Sequence, residues 1–265
     1  MIIIDSFLQG SPEWFAACAG NPGASNADKI ITTKGERSKQ RDDYMRQLAG
    51  EFITGKKEET FTSQAMINGM EREASSRQLF EMIYGVEVKQ CGLVYKDDKR
   101  LFHCSPDGLM ADSGLELKNP MIKTQVKYLL EKVFPMDYYQ QIQFSLYVTG
   151  FKLWYFMSSY EGLPPFIIEC RRDEKFISAL AYELDAFTNE LQDMINRLQD
   201  QSGIKEVPKA APKGKNGPAT THQEELAPGE CPLRPDTTMT KNFCGKCKDR
   251  LGCSAWEVKF KAVGE

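Results

Sequence analysis

The chain has 265 residues, 41% of them apolar and 27% charged, with a formal net charge of −3. That length fits one sizeable domain with an appendage, or two small domains, and the charge excludes a uniformly basic nucleic-acid binder while leaving room for a locally positive channel. Met1-Ile2-Ile3-Ile4-Asp5 lacks the basic start and the apolar length of a signal peptide, and no apolar run approaches the roughly 20 residues of a membrane span. A cytoplasmic protein without membrane contact is therefore expected, a setting in which disulfides are rare.

In chain order, a short helix is predicted near 12–17, then a turn at Asn21-Pro22-Gly23, then a helix capped by Ser25 or Asn26. Residues 34–41 carry four cations and one anion; they read first as a solvated linker and second as a phosphate-contacting loop. Residues 42–55 and 63–84 have helical apolar stripes, stopped by Gly55 and Gly85. Strand character is predicted from Val86 through Tyr95, at Leu101–Cys104 and at Leu109–Ala111, and Leu115-Glu116-Leu117-Lys118 alternates as a half-buried strand does. Helices follow near 123–133 and 136–149, then a hairpin of Leu153–Met157 with Phe166–Glu169 and a long amphipathic helix over 173–199. Residues 200–229, rich in Gly, Pro, Lys, Ala and Thr, form a linker. The expectation is an α/β (α+β) protein with a central mixed sheet flanked by helices over 1–200, a flexible linker over 201–229 and a Cys-rich tail over 230–265.

Glu116 and Lys118 lie two apart in a strand and so share a face, with Leu115 and Leu117 turned to the core. Asp107, on the strand before, is brought beside Glu116 by a short hairpin. Neighbouring carboxylates repel, and an oxygen-seeking divalent ion removes that cost. A lysine two residues on can hold or deprotonate an attacking water, or stabilise charge on a phosphate. Leu-Glu-Leu-Lys alone would be a surface strand and Ser105-Pro106-Asp107-Gly108 alone a turn; their proximity is what points to a site.

In the tail, Cys244-x2-Cys247-x5-Cys253, with Cys231 thirteen residues upstream of Cys244, has the spacing of a four-thiolate Zn²⁺ or [4Fe–4S] site. Cys91, Cys104 and Cys170 sit among apolar strand residues and read as core.

Ser105-Pro106-Asp107-Gly108-Leu109 followed by Leu115-Glu116-Leu117-Lys118 resembles the lambda-exonuclease (YqaJ-type viral recombinase) branch of the PD-(D/E)XK nuclease superfamily. The resemblance implies a metal-side glutamate on an upstream helix, for which Glu73 matches and Glu71 competes. It implies an active-site glutamine at Gln141 within Tyr139-Gln140-Gln141-Ile142-Gln143. It also extends to Gly10-Ser11-Pro12-Glu13-Trp14 and Ala24-Ser25, where the family holds a 5′-phosphate through an arginine and a serine. Ser25 matches the serine. The arginine position falls on Cys18, so a cation of 34–41, Arg37 foremost, would have to substitute.

The resemblance covers about residues 8–200. It implies a Mg²⁺- or Mn²⁺-dependent exodeoxyribonuclease of linear double-stranded DNA in phage or prophage recombination, with Glu73, Asp107 and Glu116 on one or two ions, Lys118 and Gln141 on the water, and Trp14, Ser25 and Arg37 on the substrate. It further implies a single-strand annealing partner, a homo-oligomeric ring and the host cytoplasm as location if the chain is phage-encoded. Some RecB-like nucleases carry a similar Cys tail with an iron–sulfur cluster and one distant N-terminal cysteine, a role open to Cys18 in place of Cys231. An endonuclease of the same fold, and a non-catalytic DNA-binding scaffold with a zinc module, are the rival readings.

Overall fold

The structure, a computed structural model, describes residues 1–58, 64–203, 230–231 and 234–238. The chain divides into two compact units, Met1–Gly214 and Lys215–Glu265. The first begins with β1 (Ile2–Ile4), α1 (Pro12–Cys18), a 3₁₀ segment (Ala24–Lys29), α2 (Arg41–Thr54) and α3 (Gln64–Tyr84). There follow β2 (Leu93–Tyr95), β3 (His103–Cys104), β4 (Gly108–Leu109), β5 (Ser113–Lys118) and α4 (Ile122–Glu131). A 3₁₀ turn (Met136–Tyr138), α5 (Tyr139–Thr149), β6 (Leu153–Ser158), β7 (Phe166–Arg171) and α6 (Glu174–Ser202) complete it. In the second unit, β8 (Glu230–Cys231) pairs antiparallel with β9 (Arg234–Thr238).

The expected mixed sheet is four-stranded, in the order β4-β5-β6-β7. β5 runs antiparallel to β4 and parallel to β6, and β7 folds back antiparallel on β6. The parallel pair needs a crossover, which α4 and α5 supply. One face of this sheet packs Leu115, Leu117 and Met157 around Phe80 of α3. The opposite face joins Trp154, Phe156 and Phe166 to the main core of Ile142, Phe144, Leu184 and Phe187. A second, antiparallel sheet, β1-β2-β3, packs Leu93 and Tyr95 against Cys18 and Trp14 of α1.

Three local expectations are corrected. Ser25 and Asn26 do not cap a second α-helix: they lie inside the 3₁₀ segment, whose cap is Gly23. Strand character does not run from Val86 to Tyr95, because the Glu81 carboxylate accepts the Val88 N–H at 2.8 Å and takes that donor from any ladder. The helix expected over 136–149 begins as a separate 3₁₀ turn after Pro135. The long helix runs to Ser202, where Gly203 at φ +67° ends it.

The cationic segment 34–41 folds onto α6. Arg41 is 2% exposed; its Nη1 bonds Glu190, its Nε lies 3.9 Å from Glu183, and its guanidinium sits 5.1 Å above the Phe187 ring. Breaking a buried ion pair leaves an unpaired charge and typically costs about 3–5 kcal/mol; here Glu190 is almost half exposed, which lowers the cost. Arg41→Ala is expected to destabilise the fold by about 2 kcal/mol, read from the urea midpoint.

Candidate active site

The site forms where β4 stops. β4 pairs Gly108 with Leu115 and Leu109 with Gly114, and the residue preceding Asp107 is Pro106, which has no N–H to extend a ladder. The Leu117 amide, left without a strand partner on that edge, donates instead to the Asp107 Oδ2 at 2.6 Å. A backbone interruption thus turns the Asp107 side chain onto β5. Glu116, 2% exposed, lies on the opposite face of β5 from Leu115 and Leu117 and shares that face with Lys118, whose ammonium pairs with its Oε1. The same oxygen accepts from Gln141 Nε2 of α5 at 2.6 Å. Gly114, two residues before Glu116, stands against Trp154, where a Cβ would come within 2.3 Å of the indole.

The charges are coupled. Burial first, and the Glu116 carboxylate second, push the Asp107 carboxyl up to about 8; Lys118 pulls it down, Glu73 pushes it up, and the Leu117 N–H pulls it down. Burial opposes the charge on Lys118, but Glu116 and Asp107 outweigh it and hold the ammonium well above the ordinary lysine range. Lys118 is therefore a charged donor, suited to hold water or phosphate oxygen and not to take a proton. Its Nζ also lies 5.2 Å from the Tyr138 ring.

Glu73, on α3, completes the acidic group, but its Oε1 is taken by Arg77 Nη2 one helical turn on. Among the described residues no three His, Cys, Asp or Glu side chains stand as a preformed metal cage. The reason is local, since Arg77, Lys118 and Gln141 occupy carboxylate oxygens with N–H donors. The donor set still fits an oxygen-preferring divalent ion, because the buried Glu116 and the partly buried Asp107 repel and a cation relieves the cost that raises Asp107. The Glu71 side chain lies outside the described residues, as do Cys244, Cys247 and Cys253; of Cys231 only the backbone, in β8, is described.

The residues expected on the substrate are Trp14, Ser25 and Arg37. Arg37 pairs with Glu183 at 3.1 Å and Glu190 at 3.7 Å, so the cation assigned to phosphate is engaged with α6. Ser25 is exposed. Trp14 donates from Nε1 to Ser105 Oγ at 3.1 Å, tying α1 to the Asp107 loop, and Gln9 Nε2 donates to the Pro106 carbonyl at 2.7 Å. Above the Trp14 ring, 4.6 Å from its centroid, stands Lys57 Nζ. Cys18 is a buried free thiol pushed by burial up to about 12, with the Lys57 charge acting against that shift. Burial and then Lys57 also hold His103 down to about 3, a neutral strand residue. Lys57, the cation whose charge acts on Cys18, was missed by sequence reasoning because nothing local links residue 57 to residue 18. Arg77 did carry a signal, its four-residue spacing from Glu73. A cavity of about 800 Å³ lined by Tyr84, Val86, Leu109 and Tyr155 includes none of Glu73, Asp107, Glu116 and Lys118.

A mixed sheet that brings an aspartate from one strand edge to a Glu-x-Lys strand, backed by helices on both faces, defines the class of this protein. The chain belongs to the YqaJ-like viral recombinase domain family, whose model matches residues 13–152. The alkaline exonuclease LHK-Exo from Laribacter hongkongensis is similar over 73% of this chain and 98% of its own, at 28% identity and a TM-score of 0.66, with the same values for its complex with dAMP. A phage-related exonuclease from Haemophilus somnus 129PT shares the fold, with a TM-score of 0.54 and 13% identity over 67% of this chain and 96% of its own. No curated protein matches the chain. Among the described residues no helix is long and apolar enough to cross a membrane.

Proposed function

We propose that this protein is a Mg²⁺- or Mn²⁺-dependent exodeoxyribonuclease that degrades linear double-stranded DNA from its ends, 5′→3′. The observation that carries the reading is the buried Glu116 with the partly buried Asp107 and Lys118 held charged beside Glu116; a pure DNA binder gains nothing from clustered carboxylates near phosphates. Membership in the YqaJ-like family and likeness to an alkaline exonuclease support it. Asp107, Glu116 and Glu73 would hold the ion, which when bound polarises the phosphodiester and lowers the pKa of water. Lys118 donates to the water or to phosphate oxygen. Gln141 orients Glu116 and reaches the same space. Lys57, above Trp14, supplies the cation for the 5′-terminal phosphate in place of Arg37, and Ser25 a hydroxyl donor.

In this reading the protein acts in phage or prophage recombination in the host cytoplasm, as a homo-oligomeric ring around the duplex, and passes the exposed strand to a single-strand annealing protein. Residues 1–200 are the nuclease domain and 201–229 the linker. In the 230–265 tail, Cys231, Cys244, Cys247 and Cys253 hold Zn²⁺ or [4Fe–4S]; a brown purified protein selects the cluster.

The test is digestion of linear duplex, with and without a 5′-phosphate, beside closed circular DNA in Mg²⁺. Loss of linear DNA alone is expected, faster from the phosphorylated end, and that preference is expected to disappear in Lys57→Ala. Cut circles transfer the reading to an endonuclease. No cleavage in either Mg²⁺ or Mn²⁺ overturns it.

A further inference from the structure

Beyond the residues that face substrate, Arg77 lies at the junction of the acidic group. It is buried at 7% exposure on α3. Its Nη2 donates to Glu73 Oε1, and its Nε donates to the carbonyl oxygen of Asp107 at 2.9 Å. On its other side stands Gln90, whose amide oxygen is assigned to face the guanidinium because a nitrogen there would meet only donors; it accepts from Nη1 and Nη2 at 3.0 Å. One planar group with fixed donor directions therefore joins a helix, a strand-edge loop and the segment before β2.

Glu73 needs such a tie. It projects from α3, its side chain is 32% exposed, and a free glutamate there would sample several rotamers. Asp107 is fixed by the Leu117 amide and Glu116 by Lys118 and Gln141. Arg77 does the corresponding work for Glu73, and does it from the backbone of Asp107. We propose that Arg77 is a positioning residue that sets the Glu73 carboxylate beside Asp107 as the third oxygen donor of the ion site, a proposal that rests on the metal-dependent reading above. Arg77 holds only Oε1, which leaves Oε2 for the ion. Residues that orient metal ligands typically contribute about 10–100-fold in metal affinity.

The experiment is a cycle of Mn²⁺ binding, read from the electron paramagnetic resonance of free Mn²⁺, on the full chain and on Arg77→Met, Glu73→Gln and the double variant. Melting in EDTA by circular dichroism confirms folding of each. Arg77→Met is expected to weaken Mn²⁺ binding about tenfold, and the double variant to bind no worse than Glu73→Gln, because Arg77 acts through Glu73. Arg77→Lys, which keeps one charged donor for Glu73, is expected to recover part of the affinity and takes the place of the methionine variant in the cycle if that one does not fold. Unchanged or tighter binding in the Arg77 variant, or a loss that multiplies with that of Glu73→Gln, overturns the proposal while leaving the metal-dependent reading in place. A wild-type chain that binds no Mn²⁺ overturns both.

Discussion

Replacing Lys118 with alanine is expected to lower Mg²⁺-supported cleavage of linear duplex DNA about a thousandfold, within the range that one positioned donor or acid–base group contributes. Lys118 is the cation in contact with the buried Glu116, and its side chain is 27% exposed. Its charge is held in place by Glu116 and Asp107 against burial. A donor that acts on water or phosphate during the reaction affects kcat, whereas a donor that merely assembles the ion site would shift the Mg²⁺ concentration at half-maximal rate. The expected signature is a large fall in kcat with a small change in that concentration. Arg in the same place keeps the charge but presents a wide planar group, and is expected to recover only a small part. Activity of Lys118→Ala within tenfold of wild type would remove Lys118 from the chemistry.

The second large effect concerns Asp107, whose carboxyl is pushed by burial and by Glu116 up to about 8 from an ordinary 3.8. In the unfolded chain this group loses its proton near the ordinary value, so between that pH and about 8 the folded state binds the extra proton. Stability of the metal-free protein therefore has this contribution in full at acid pH and loses it as pH rises through about 8. Asp107→Asn keeps an oxygen for the Leu117 N–H and removes the charge. In EDTA at about pH 8.5 it is expected to raise Tm by at least about 3 °C, the shift produced by about 1 kcal/mol in a domain of this size. The advantage is expected to shrink as the pH is lowered towards 5. The same variant is expected to lose cleavage in Mg²⁺ altogether. A Tm difference that does not change with pH would show that Asp107 titrates normally. Because an ion and a proton compete for the carboxylate, the Mg²⁺ requirement of the wild-type chain should fall as pH rises.

Much of this was legible in the sequence where the signal is periodic or local. The alternation of Leu115 to Lys118 placed Glu116 and Lys118 on one face of a strand, and they are paired there. The stripe of Phe176, Leu180, Leu184, Phe187 and Leu191 is the buried face of α6, and Gly55 and Gly203 end their helices at positive φ. What was not legible depends on who meets whom across the chain. That Pro106 halts β4 and delivers Asp107 to the Leu117 amide needs the sheet register. That Arg37 faces α6 needs Glu183 and Glu190, some 150 residues away along the chain. That Lys57 stands over the Trp14 ring needs the packing of Trp14 on the loop of Ser105.

β5 is bound along its whole length to β6, at one end to β4, and beyond that by Asp107 itself. Strands held on both edges and buried on both faces exchange their amide protons only when the whole domain opens. On the proposed function, Glu116 and Lys118 are therefore carried by a strand held on both edges, while Lys57, proposed to meet the DNA end, lies after α2 outside any helix or strand. Warming such a protein would loosen its grip on an end well before it disturbed the site that cuts.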